Sequence, residues 1–131
     1  MNNLESLCDN LMRSGWSLVK RSGGDIITVD TQSEGVRVSL TLMPDGDYVL
    51  VHRLRAIPEL MGGGGRAMRE LILAANEERV TLTLCVTPFG PQTLDSAELR
   101  RFYEKHGFEA DEDLKDWMVR HHREPEFRPS P

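Results

Sequence analysis

The chain is short of the features that mark several classes of protein. It has only two cysteines, Cys8 and Cys85, too few for a disulfide framework, and this points to a reducing cytoplasm. Its apolar runs fall far below the ~20 residues needed to span a bilayer. Met1-Asn-Asn leads into an amphipathic segment rather than an apolar signal region, so no membrane role is expected. There is no basic block, and the net charge is −5, which argues against a surface for duplex nucleic acid. The pair His121-His122 lacks further ligands at metal spacing, so no metal is expected. Apolar residues make up 39% of the chain, enough for one modest core. A single domain over residues 1–120 is expected, followed by a loose tail over 121–131.

What is present reads as alternating elements. Leu4, Leu7, Cys8, Leu11 and Met12 share a helix face, Asn2 and Glu5 resemble a capping box, and Gly15 is the stop. Strands are expected over Trp16–Lys20, Ile26–Thr31 and Val36–Leu42, the last alternating apolar and polar residues. Pro44-Asp-Gly46 closes a hairpin onto Tyr48–Ile57, which is apolar on both faces at its start and so should be central. A helix to about Glu77 and a strand over Val80–Val86 follow. A second helix begins at the capping box Asp95–Glu98 and ends at Gly107, and two short strands, Phe108–Ala110 and Trp117–Arg120, complete the chain. Hairpins first and β-α-β afterwards predict an α/β (α+β) domain. It would hold a mixed, mostly antiparallel sheet of six to seven strands with helices on both faces.

The most unusual stretch is Gly62-Gly-Gly-Gly65 between a strand and a helix. Such glycines can take positive φ and let a ligand approach the backbone closely. Their N–H groups, with those of the helix's first turn, form a site for a phosphate or pyrophosphate. A Walker A loop would need Gly-Lys-Ser/Thr, whereas Gly65-Arg66-Ala67 follows here, which excludes it. Gly62, Gly64 and Ala67 formally meet a dinucleotide fingerprint, but the acidic residue about twenty positions on is missing. The pyrophosphate of coenzyme A fits best, because of what the second half of the chain carries.

There, Leu99-Arg-Arg-Phe-Tyr-Glu-Lys-His-Gly-Phe108 resembles the signature near the C-terminal end of GNAT N-acetyltransferases. That signature is an aliphatic residue or alanine, then Phe/Leu-Tyr, three residues and Gly-Phe. The resemblance runs over roughly Val49 to Arg120. The run Val80-Thr-Leu-Thr-Leu-Cys-Val-Thr-Pro-Phe-Gly90 is also similar to small acetyltransferases of phage genomes. The resemblance implies transfer of acetyl from acetyl-CoA, as cosubstrate, to a primary amine by direct attack. It implies a pyrophosphate loop at Gly62, Gly63, Gly64, Gly65, Arg66 and Ala67. The thioester carbonyl would meet main chain of Leu54, Ala56 and Ile57. Ser96 would take the place of an asparagine that bonds the pantetheine arm, and Arg100 and Lys105 would reach the CoA phosphates. Two features depart from the family. The Gln/Arg that opens its loop is absent, with Glu59, Leu60 or Gly62 in its place. One helix stands where the family has two between its first strands, so the acceptor does not carry over.

The resemblance makes Tyr103 the general acid toward the CoA thiolate, against the plain alternative of a half-buried core tyrosine. For a base, His52 on the central strand comes first, since a histidine switches protonation near neutral pH. Glu59 and Asp47 are alternatives, and Asp47 also fits a simple turn role. Arg66, Arg100 and Lys105 equally suit a solvated surface, and Cys85 strand packing. The acceptor would be a small-molecule or protein amine, and exposed sheet edges make a homodimer reasonable. Two rivals remain at this point: a catalytically degenerate GNAT domain that binds a partner, and a nucleotide-binding regulator.

Overall fold

A computed structural model describes residues 2–22, 25–33, 35–57, 63–86 and 96–123. The elements are α1 (Asn3–Arg13), β1 (Ser17–Ser22), β2 (Ile26–Ser33), β3 (Val36–Asp45), β4 (Tyr48–Ile57), α2 (Gly63–Glu78), β5 (Leu82–Cys85), α3 (Ser96–Lys105), β6 (Glu109–Ala110) and β7 (Trp117–Arg120). The seven strands form one sheet in the order β1-β2-β3-β4-β5-β7-β6. Every pairing is antiparallel except that of β4 with β5. The mixed, mostly antiparallel sheet expected from the sequence is the one found, with β4 at its centre.

Local chemistry explains the boundaries. The Oδ1 of Asn2 accepts from Glu5 N–H at 2.8 Å and caps α1. Gly107 closes α3 in the left-handed region at φ +92°. Between them, side chains alternate as strands require. Ile27, Val29, Leu40, Leu42, Val49, Val51, Leu82, Leu84 and Met118 fall on one face by register and are buried. Leu4, Leu7, Cys8 and Leu11 of α1 and Ala67, Met68, Leu71, Ala74 and Ala75 of α2 close that face. Met12, expected on the buried side of α1, lies partly exposed at its margin. The core also takes in Phe108 and, half-buried against it, Leu99, Phe102 and Tyr103.

The other face is more polar. The hydroxyls of Thr28 and Thr41 hydrogen-bond across β2 and β3 at 3.0 Å, and Thr83 donates to Asp45 at 2.9 Å. Contacts among the described residues place α1 and α2 side by side on the apolar face. Tyr103, near the end of α3, meets Phe108 edge-on and packs against the core.

Arg123, at the start of the expected tail, donates its backbone N–H to Asn76 Oδ1 at 3.0 Å and lies against α2. The rest of the tail, residues 124–131, falls outside the described residues. No helix among the described residues is long and apolar enough to cross a membrane.

Candidate active site

The site begins with a strand pairing that stops early. β4 is ten residues long, yet it pairs with β5 only at Val49↔Leu82 and Leu50↔Thr83. Past these residues the ladder with β5 ends, while the pairing of β4 with β3 continues to Ile57. Among the described residues, β4 therefore has no ladder partner on its β5 side from Val51 to Ile57.

A second irregularity sits just past the last β4–β5 pair. The β3–β4 register shifts between Thr41 and Leu42, with Arg53 facing Thr41 and Val51 facing Leu42. His52 is the extra residue, a β-bulge. Bulges of this kind bend a strand and re-aim its side chains. His52 and Arg53 are exposed, and Leu54 and Ala56 turn half-buried toward the core face.

The C-terminal end of β4 leads to α2, which opens on Gly63. Gly63, Gly64 and Gly65 form its first turn, and none of the three is among the residues with positive φ. Positive φ, expected of the glycine turn, is thus not the reason for these glycines. What remains is their lack of bulk at a helix N-terminus, where main-chain N–H groups are free to bind an anion. Arg66 is half-buried and Ala67 fully buried beneath this turn. Gly62 and Glu59 lie outside the described residues.

Tyr103 faces inward from α3. Its ring meets Phe102 edge-on at 5.3 Å and Phe108 at 5.8 Å. Burial raises its pKa above the usual tyrosine value. The phenol therefore holds its proton firmly at neutral pH. Ser96 is the first residue of α3. Arg100 Nη2 lies 3.6 Å from Asp116 Oδ1, both side chains being partly exposed. Lys105 is exposed and lines a cavity with Arg69, His106 and Arg123. Asp47 is exposed in the β3–β4 turn, where its backbone oxygen accepts from Asn3 Nδ2 at 2.7 Å. It belongs to that turn, at the opposite end of β4 from α2.

The fold is GNAT-like. A solved structure, that of the anti-CRISPR protein AcrVA5, matches it with a TM-score of 0.56, over 80% of this chain and 97% of that one. Identity is 18%, so the likeness is one of fold. No protein-family profile matches the sequence, and no curated protein matches it.

Sequence reasoning passed over Arg120. It is 5% exposed at the end of β7, donating from Nε to His106 O at 3.1 Å and from Nη1 to Asn76 Oδ1 at 3.0 Å. It joins β7, α2 and the end of α3. The signal available was its place in an alternating strand, where Met118 and Arg120 share a face. Its charge argued for the surface.

Proposed function

We propose that the protein is an acetyl-CoA-dependent N-acetyltransferase of the GNAT type. The observation that carries the reading is the early parting of β4 from β5, with its open side leading to a helix that begins Gly-Gly-Gly. An extended arm fits between separated parallel strands because the backbone of β4 faces it without a neighbouring ladder. A diphosphate fits the bare first turn of α2, since no Cβ stands in front of Gly63, Gly64 or Gly65. When bound, acetyl-CoA supplies an activated thioester.

In this reading the chain's own groups do four things. The turn Gly63–Ala67, with Arg66, holds the diphosphate. Main chain from Leu54 to Ile57 directs an N–H at the carbonyl oxygen, which gains negative charge as an amine attacks. Tyr103 keeps its proton until a thiolate leaves and then donates it; burial keeps the phenol protonated at neutral pH but makes it the weaker acid. His52, in the bulge just past the last β4–β5 pair, takes the proton from the attacking amine directly or through water. Ser96 and Lys105 keep the supporting roles that the family resemblance implies, and Glu59 stays an alternative base. The amine attacks the acetyl group directly, with no acyl-enzyme.

The acceptor is an amine on a small molecule or on a protein. The name of the structural neighbour refers to CRISPR antagonism, which adds a protein target to the acceptors worth testing. Incubation with acetyl-CoA and an amine panel, read by mass spectrometry, tests the activity: a mass gain of one acetyl group on any acceptor supports it. A second reading, a binding module that has lost catalysis, is favoured by the absent Gln/Arg of the loop. It predicts no acetylated product and no acetyl-CoA binding.

A further inference from the structure

Away from the end of the β4–β5 ladder, α2 and the end of α3 line an open surface cavity of about 440 Å³. Arg69 lines it from α2, Lys105 and His106 from the end of α3, and Arg123 from the segment after β7. Arg120 stands against the same corner. Its Nε lies 3.2 Å, and the Nη2 of Arg123 3.5 Å, from where a Cβ on Gly107 would sit. Four cationic side chains and an imidazole therefore gather at one place on a chain whose net charge is −5. Glu104 is the carboxylate on the cavity wall, and among the described residues it pairs with none of them.

Cations brought together repel one another, and buried or half-buried ones normally sit beside carboxylates. Here Arg120 has neutral partners instead, the carbonyl of His106 and the side-chain oxygen of Asn76. The imidazole adds a second sign that something is missing. Among the described residues, His106 Nε2 is buried and has no hydrogen-bond partner. Burial first, then Lys105, Arg69 and Arg120, push its pKa below the usual histidine range.

We infer that this cavity is an oxoanion site, taking a phosphate monoester dianion between Arg69, Lys105 and Arg123 with His106 Nε2 as a further partner. A dianion matches several converging cations better than a carboxylate does, and guanidinium forks meet phosphate oxygens in pairs. Two sources share that chemistry. Arg69 Nη1 passes 3.6 Å from where a Cβ on Gly65 would sit, so the cavity adjoins the glycine turn. The phosphate is then either the 3′-phosphate of a coenzyme A bound as proposed above, or a separate phosphate. The first source rests on the acetyltransferase reading and the second does not.

The test uses the full chain and inorganic phosphate, with the His106 imidazole followed by NMR. Phosphate is expected to shift the His106 Nε2 resonance saturably, and Arg69→Gln and Arg123→Gln each to weaken binding about tenfold. Calorimetry with coenzyme A and dephospho-coenzyme A distinguishes the sources. A 3′-phosphate in the cavity makes coenzyme A the tighter ligand by about tenfold or more, and coenzyme A then displaces inorganic phosphate. A separate phosphate leaves the two coenzymes equal and binds alongside either. Both results support the site. No saturable effect of phosphate on His106, combined with equal affinity for, or no binding of, both coenzymes, overturns it. The inorganic-phosphate arm needs no coenzyme, so the site can stand where the acetyltransferase reading falls.

Discussion

Leu50 and Thr83 face each other as the last paired residues of β4 and β5. Beyond them lie seven residues of β4, from Val51 to Ile57, that keep β3 as a neighbour and lose β5. Thr83 is pinned from below, because its hydroxyl donates to Asp45 at 2.9 Å. The point where the β4–β5 pairing ends is therefore held by both a ladder and a side-chain bond.

Tyr103→Phe separates catalysis from binding. The substitution removes one oxygen from a half-buried ring and leaves its contacts with Phe102 and Phe108 in place. Turnover is expected to fall by about 10²-fold or more, the scale of general-acid catalysis, while acetyl-CoA affinity changes little. Steady-state rates beside calorimetry measure the two effects. Unchanged turnover removes Tyr103 from the mechanism and leaves it a core residue.

Gly65→Ala tests what the glycines are for. Gly65 sits in α2 outside the positive-φ set, and an added Cβ would meet Arg69 Nη1 at 3.6 Å, an ordinary contact. Alanine should therefore stabilise the helix by about 0.5–1 kcal/mol, read from the urea midpoint. The same methyl would stand where a diphosphate must approach, so acetyl-CoA binding should weaken. Greater stability with undiminished binding would show that the ligand does not use that surface.

Arg120→Met tests the junction behind the helices. Methionine preserves the packed stem but takes the side-chain donor from His106 O and one of two donors from Asn76 Oδ1, which keeps the Arg123 N–H. A loss of about 2–3 kcal/mol is expected, somewhat offset by relief of repulsion with Arg123. Chemical denaturation measures it, and a neutral or stabilising result would show that the buried cation contributes nothing to the fold.

The pH dependence of stability carries the mark of His106. Its folded pKa lies below the ordinary histidine value of 6.5, chiefly through burial, with the neighbouring cations adding to the shift. The unfolded chain therefore takes up this proton more readily than the folded one. Stability contributed by the neutral imidazole is complete above pH 6.5 and declines as the pH falls toward the folded value. His106→Gln should flatten that decline in melts between pH 7.5 and pH 5, a range of ~2.5 units around the histidine pKa. An unaltered slope would assign it to other groups.

Local pattern carried much of the fold. Tyr48–Ile57 and Trp117–Arg120 are strands over the residues expected, because a two-residue period between turn-forming sequences leaves few other solutions. Asn2 and Gly107 cap their helices as their chemistry requires. The short β4–β5 ladder was less visible. Where β4 and β5 stop pairing is a property of the assembled sheet, and nothing within Leu82–Cys85 encodes it. The bulge at His52 is a matter of register with Thr41 and Leu42, eleven and ten residues away, and a strand read alone does not reveal it. Arg120 escaped because charge outweighed periodicity, when a polar junction between helices had room for one guanidinium.

The most direct measurement is calorimetric titration of the full chain with acetyl-CoA. The expected result is a saturable, one-site isotherm that Gly65→Ala weakens and Tyr103→Phe leaves in place. An absence of heat at millimolar acetyl-CoA, with the protein folded, would contradict the assignment of the β5 side of β4 and the glycine-led helix to coenzyme A.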